Sequence, residues 1–207
     1  MKTRSWLAQV SGLVALLAVS CGGGGGGSGP SDAVPPTAQP GDPRPEFGAA
    51  GIAWGDPSES RTRPEAIAID DEAMYVVGWQ ETGYIEGTDP THHWRIEKRS
   101  LATGALVPGF GQGGVVIADN GSYGPEPRLS LALGSSALYV AGWTISAVSH
   151  SRQWRIEKRS LSDGSPVAEF GASGVIVSDP SPQDDEPRAV AIDEMRNGLF
   201  VVGLDRA

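Results

Sequence analysis

Three histidines and two acidic runs are the residues in this sequence whose types could support metal or hydrolytic chemistry. His92 and His93 are adjacent, and adjacent side chains on a strand point to opposite faces, so the two cannot share one metal ion. His150 recurs at no equivalent place in the repeats described below. The acidic runs at residues 70–72 and 184–186 lie in predicted turns, and their spacing does not match a calcium-binding loop. We therefore expect no metal site and no cofactor, and we interpret the histidines as loop residues.

A hydrolase would need an activated serine or cysteine, and the sequence contains no nucleophile-elbow pattern. Paired carboxylates serve glycosidases, but acidic clusters in turns are usually solvated. The only cysteine is Cys21, which has no partner for a disulfide bond within the chain. These observations predict that the protein is not an enzyme and has no catalytic residues.

The first 20 residues have the order of a secretion signal. Lys2 and Arg4 precede an apolar stretch at residues 6–19, which is shorter than the roughly 20 residues needed to cross a bilayer. The following Ala-Val-Ser-Cys at residues 18–21 resembles the lipobox of bacterial lipoproteins. This resemblance implies cleavage before Cys21 and attachment of a diacylglycerol to its thiol. The alternative is an ordinary cleavable signal followed by an incidental cysteine.

Residues 21–45 are predicted to be a lipidated cysteine followed by a linker. Glycines dominate residues 22–29, and residues 30–45 are rich in proline without hydrophobic periodicity, a composition typical of a flexible and then extended tether. Gly22 after the cysteine resembles the outer-membrane sorting pattern. We therefore expect a lipid-anchored protein of the cell envelope, on the periplasmic or surface side of an outer membrane if the source has two membranes.

The net charge of the chain is −9, and removal of Lys2 and Arg4 with the signal makes the mature protein more acidic still. An acidic surface repels nucleic acid and anionic lipid head groups. We therefore expect no nucleic-acid partner and interpret the acidity as a means of keeping an extracytoplasmic protein soluble.

Residues 46–207 contain an internal repeat. The segment Trp-Arg-Ile-Glu-Lys-Arg-Ser-Leu at residues 94–101 recurs without change 60 residues further on, at residues 154–161. A Phe-Gly-x-x-Gly motif marks the start of each unit, at Phe47, Phe110 and Phe170. An apolar run with a central glycine recurs at residues 75–79, 139–143 and 200–204. Repetition of several motifs in one order indicates a repeat architecture.

Each unit contains four strand-like runs, which in the second unit are residues 114–118, 128–133, 137–143 and 153–161. The third run is apolar on both faces and must be covered on both. The fourth run alternates in charge, which favours a strand toward the outer, wetter edge of a sheet, with its charges solvated or paired across strands. Four antiparallel strands with two covered faces describe one blade of a β-propeller. We predict an all-β, propeller-like array of about 2.7 blades that does not close into a ring.

These motifs resemble the bacterial delta-60 repeat. The resemblance rests on Phe-Gly-x-x-Gly-Val, on the apolar hairpin ending in Val-Ala-Gly, and on Leu161-x-Asp163-Gly164-Ser165 ahead of the next Phe-Gly; it covers residues 46–204. The turn within the apolar hairpin departs from the family pattern. The resemblance implies β-propeller blades and no established biochemical activity.

Two further features could bind ligands. The recurring tryptophan pairs Trp79/Trp143 and Trp94/Trp154 could stack on sugars, but their repetition at fixed positions favours packing between blades. The segment at residues 80–93 is longer than its counterpart at residues 144–153 and contains Tyr84, Ile85, His92 and His93. Loops of unequal length on a regular scaffold are common sites of recognition, but we favour the interpretation of this one as a plain hairpin tip. The turns Thr103-Gly104 and Asp163-Gly164 are similar to those of quinoprotein propellers, but the docking tryptophan that follows them there is absent here.

The leading functional hypothesis is a membrane-tethered binding or scaffolding module for protein or glycan. The alternative is a truncated member of an envelope enzyme or redox family whose active-site blades are absent. The third unit ends before a counterpart of residues 154–161, and residues before Phe47 have no strand character. We therefore expect uncovered apolar faces and an uncovered strand edge, and self-association or aggregation unless a partner covers these surfaces.

Overall fold

A computed structural model describes residues 15–17, 42–55, 61–82, 91–118, 122–123 and 126–205. These residues form an all-β structure, and the only helical turn among them is a short 3-10 turn at Glu194–Arg196. The strands are β1 (Ala15–Leu17), β2 (Ile52–Trp54), β3 (Thr62–Ile69), β4 (Ala73–Thr82), β5 (Thr91–Ser100), β6 (Val115–Ile117), β7 (Ser122–Tyr123), β8 (Ser130–Leu133), β9 (Ala137–Ile145), β10 (Arg152–Ser160), β11 (Val175–Ser178), β12 (Glu186–Asp193) and β13 (Gly198–Leu204). The prediction of an all-β chain is confirmed.

The strands are grouped into antiparallel sheets that we call blades. Blade 1 has the strand order β3-β4-β5-β6, with β7 pairing with the start of β5. Blade 2 repeats this arrangement with β8-β9-β10-β11, and blade 3 consists of β12 and β13. The described strands therefore form an open array of propeller-like blades, as predicted.

The second strand of each complete blade is buried on both faces. Every residue from Ala73 to Trp79 in β4 and from Ala137 to Trp143 in β9 is buried. The hairpin that leads into β4 is held by Asp70, whose carboxylate accepts hydrogen bonds from the backbone N–H of Glu72 at 2.9 Å and of Ala73 at 2.7 Å. This turn chemistry fixes the register of β3 against β4.

The blades are offset by one strand from the sequence units. The Phe-Gly motif at Phe110 leads into β6, which pairs with β5 of the preceding unit rather than with β8 of its own. The prediction that residues 114–118, 128–133, 137–143 and 153–161 form one blade is therefore wrong in its grouping, although each run contains a strand. The outer strand of each complete blade follows the other three strands in the sequence and belongs to the next unit. The motif that starts a unit therefore completes the previous blade.

One strand lies within the predicted signal. The backbone of Ala15–Leu17 pairs antiparallel with β2, in the register Ala15 with Trp54 and Leu17 with Ile52. β2 is equivalent in sequence to β6, which pairs with β5 in blade 1. β1 pairs with β2 and therefore occupies the position equivalent to that of β5. The prediction that no residue before Phe47 forms a strand is wrong at this position.

Blades 1 and 2 share the main hydrophobic core. Blade 1 supplies buried side chains that include Tyr75, Val77 and Ile96, and blade 2 supplies Leu138 and Val140. The core therefore lies between the sheets, as expected when each blade is apolar on both faces.

Candidate functional site

The third strands of blades 1 and 2 carry buried Arg-Glu-Arg ladders. In β5, the Nε atoms of Arg95 and Arg99 donate to the two carboxylate oxygens of Glu97, each at 2.7 Å. Residues two apart share one face of a strand, so the three side chains form a single row. All three are almost completely buried, and each charge has an opposite charge next to it along the strand.

The ladder recurs in β10. The Nε atoms of Arg155 and Arg159 donate to the carboxylate of Glu157, again at 2.7 Å each. Arg159 also donates through Nη1 to the backbone oxygen of Gly164 at 2.9 Å, so the ladder ties the strand to the turn that follows it.

The position of these ladders corrects a prediction. β5 and β10 each have a neighbouring strand on both sides, β4 and β6 for the first and β9 and β11 for the second. The alternating charges were expected at an outer, solvated edge, and that expectation is wrong because the following unit supplies the outer strand. The charges are paired within the strand, since isolated buried charges would be far too costly.

The Phe-Gly motif at Phe110 docks on the next blade. The ring of Phe110 is fully buried, and the backbone N–H of Gly111 donates to the backbone oxygen of Asp163 at 2.8 Å. Gly164 has a φ of +76°, and a Cβ placed on it would lie 3.0 Å from the Phe110 ring. Glycine is therefore required there both for its backbone conformation and for the close approach of the ring.

The same contact occurs between the Phe47 motif and blade 1. Phe47 is fully buried, and Gly48 N–H donates to the backbone oxygen of Thr103 at 2.8 Å. Phe170, the third member of the series, is only half-buried. The Phe-Gly motif is thus a connector between consecutive blades.

Trp94 and Trp154, two of the recurring tryptophans, pack against the next blade. Trp79 and Trp94 are opposite each other in the register of β4 and β5, and both are fully buried. A Cβ on Gly142 of blade 2 would lie 2.7 Å from the Trp94 ring, and Trp154 stands in the same relation to Gly203 of blade 3 at 2.8 Å. The prediction that Trp94 packs between blades, rather than presenting its ring to sugars, is confirmed.

The candidate ligand site is an open groove of about 630 Å³ that runs around β6 between blades 1 and 2. Its polar lining consists of Gln80, Arg95, Gln112, Arg159, Asp163 and Ser165. Val115 and Ile117 of β6 supply apolar surface beside these groups. The volume is within the range of sites for small ligands, and guanidinium, amide and hydroxyl groups suit a ligand that carries hydroxyl or carboxylate groups.

Hydrogen bonds hold the polar groups of the groove in place. Arg95 Nη1 donates to the side-chain oxygen of Gln80 at 2.9 Å, while its Nε is held by Glu97. Hydrogen bonds from the backbone N–H and the hydroxyl of Ser165 lower the pKa of Asp163 below its ordinary value. The groove therefore presents an ionised carboxylate next to positioned cations.

The histidines do not converge, and two of them are not loop residues. His92 and His93 lie in β5; His92 is buried against Trp79 with 4.6 Å between ring centroids, whereas His93 Nδ1 lies 3.3 Å from the backbone oxygen of Ala118. Interpretation of these two as loop residues is wrong. His150 is exposed in a turn, with a φ of +58°. Within the described ranges, no three His, Cys, Asp or Glu side chains are placed to hold a metal ion together.

Cys21, Tyr84 and Ile85 lie outside the described residues. The groove was not among the predicted sites, because its residues come from four separate segments of the sequence that only the folded structure brings together. The ladders have a signal in the sequence, because arginine and glutamate alternate at every second residue of the strand. The structure shows that these residues pair within the strand.

No protein-family model, curated protein or solved structure matches this chain. The resemblance to the delta-60 repeat therefore stays a prediction. In the part of the chain that the structure describes, there is no helix with the length and apolar character needed to span a bilayer.

Proposed function

We propose that this protein is a lipoprotein of the cell envelope whose propeller-like repeats serve as a binding or scaffolding module for protein or glycan. In this proposal, residues 1–20 are the secretion signal, Cys21 carries the lipid, residues 21–45 form the tether and residues 46–207 bind the ligand. The membrane is reached through the lipid.

The groove around β6 is the observation that supports a binding role. It is open, polar and bordered by Arg95 and Arg159, which belong to two different blades. Both arginines are held by carboxylates of their own strands, so the groove is built on rigid elements. A preorganised polar groove of this kind favours recognition of a ligand with many hydroxyl or carboxylate groups.

The proposal is tested by capture from a cell-envelope extract with the full chain. The Gln112→Trp variant fills the groove with a bulky side chain, because Gln112 is exposed at its margin. Val148→Trp is the matched control, since Val148 is exposed and does not line the groove. We expect a protein or glycan to be retained by the unaltered chain and by the control but not by Gln112→Trp. Equal retention by all three chains would contradict the assignment of the groove.

A further inference from the structure

The two ends of the array expose apolar faces. On blade 1, the side chains of Ile67 and Ile69 in β3 are 54% and 64% exposed; we call this surface the front face. On blade 3, Phe200 and Val202 in β13 are 60% and 62% exposed; we call this surface the rear face. Exposed apolar clusters of this kind mark interaction surfaces.

The chain contains an internal interface made from equivalent residues. By the strand registers, Ile67 and Ile69 are equivalent to Leu131 and Leu133 of β8. In the interior, Leu131 and Leu133 are packed against the core that lies between blades 1 and 2. The front face is therefore equivalent to one side of the junction between blades 1 and 2, which the structure shows in its complete form.

The rear face is equivalent to the other side of that junction. Phe200 and Val202 occupy the positions of Tyr75 and Val77 in the repeated apolar run. Tyr75 and Val77 are fully buried in the same core that receives Leu131 and Leu133. The two exposed faces thus match the two sides of the junction between blades 1 and 2.

We propose that two copies of this chain associate head to tail, with the rear face of one copy packed on the front face of the other. The contact repeats the blade 1–blade 2 junction, with Phe200 and Val202 in the places of Tyr75 and Val77. It is a heterologous interface, because unlike surfaces meet. A contact between two front faces would have no such precedent in the chain, since each internal junction joins unlike faces. This proposal does not depend on the lipid anchor or on the ligand groove.

The test uses two full-length chains that carry different affinity tags, produced together and purified in mild detergent. A front-blocked variant carries Ile67→Asp and Ile69→Asp, and a rear-blocked variant carries Phe200→Asp and Val202→Asp. We expect unaltered copies to co-purify and two copies blocked on the same face not to. A front-blocked copy and a rear-blocked copy retain one intact pair of faces, so this mixture is expected to co-purify as a one-to-one complex. The matched control is the double variant Val148→Asp and Met195→Asp, whose side chains are both exposed and are not among the residues that define either face; it should co-purify like the unaltered chain.

Co-purification of two front-blocked copies, or failure of unaltered copies to co-purify, overturns the proposal. Cross-linking keeps the test independent of any effect of the aspartates on folding. Ile69→Cys on one chain and Phe200→Cys on the other should be joined by a short thiol-reactive cross-linker, above the background of chains that contain only Cys21. Two Ile69→Cys chains should not be joined. The opposite pattern would show that like faces meet and would also overturn the head-to-tail arrangement.

Discussion

The Oε2 atom of Glu157 accepts a 2.7 Å hydrogen bond from the Nε of Arg159, two residues further along the same strand. The other carboxylate oxygen is bound in the same way by Arg155. Glu157 is therefore the single anion between two cations, and it is almost completely buried. Its removal would leave two guanidinium groups in the interior without their counter-charge.

We expect Glu157→Gln to lower the free energy of unfolding by about 3 kcal/mol, because breaking one member of a buried charged group leaves an uncompensated charge. Urea denaturation of the full chain in mild detergent, followed by tryptophan fluorescence, measures this change. Glu169→Gln is the control, since Glu169 is exposed, and it should change stability by less than about 0.5 kcal/mol. Equal effects of the two substitutions would show that the ladder contributes no net stability.

Gly142 is expected to tolerate no side chain. A Cβ at this position would lie 2.7 Å from the Trp94 ring and 2.4 Å from Leu129, so Gly142→Ala should destabilise the chain by about 2 kcal/mol through overpacking. Gly109→Ala is the matched control, because a Cβ there meets no atom within 4 Å. The same denaturation assay compares the two variants, and a neutral Gly142→Ala would contradict the packing of Trp94 at the junction.

The lowered pKa of Asp70 predicts that the stability of the fold depends on pH. Burial alone would raise the pKa of Asp70, but hydrogen bonds from Glu72, Ala73 and Tyr75 and the charge of Lys98 bring it below its ordinary value of 3.8. A lowered pKa in the folded state stabilises the fold above the unfolded-state pKa, and this contribution is lost as the pH falls through the folded-state pKa.

We therefore expect Asp70→Asn to reduce the free energy of unfolding by about 1 kcal/mol at neutral pH, with a smaller difference from the unaltered chain at pH values below 3.8. Denaturation curves at a series of pH values give both quantities. A difference that grows as the solution is acidified would have the wrong sign and would refute the role of the ionised carboxylate.

Cys21 is expected to carry the membrane anchor. Cells that produce the full chain in the presence of radiolabelled palmitate should label the unaltered protein and not Cys21→Ala, and the variant should leave the membrane fraction. The chain has no other cysteine that could take the label in its place. A labelled Cys21→Ala, or an unlabelled parent chain, would rule out lipidation at this residue.

The sequence was sufficient to predict the class of fold and most strands of the repeats, because apolar alternation and recurring turn residues are local signals. The same signals could not assign β6 to its blade. The Phe-Gly motif precedes β8 in the same unit. Only the pairing of β6 with β5, in which Val115 lies opposite Glu97, shows that β6 belongs to the preceding blade. Pairing between strands is a non-local property, so a repeat in the sequence defines a period without defining where a blade begins.

The burial of Arg95 and Glu157 could not be predicted for a related reason. A strand of alternating charge is expected to be solvated when each residue is considered alone, whereas the charges of its Arg-Glu-Arg face are paired with one another over five residues. The groove was missed because Gln80, Gln112 and Ser165 are far apart in the sequence and have no shared motif.

The one-strand offset between sequence unit and blade has a consequence for how such a chain can grow. A segment of DNA that encodes one unit, from Phe110 to the residue before Phe170, can be duplicated or deleted in frame and leave every junction with an equivalent set of neighbours. Each inserted unit would give its first strand to the sheet already present and begin the next sheet with its remaining strands. Unequal recombination between units could therefore lengthen or shorten the gene without creating a new unpaired strand inside the array.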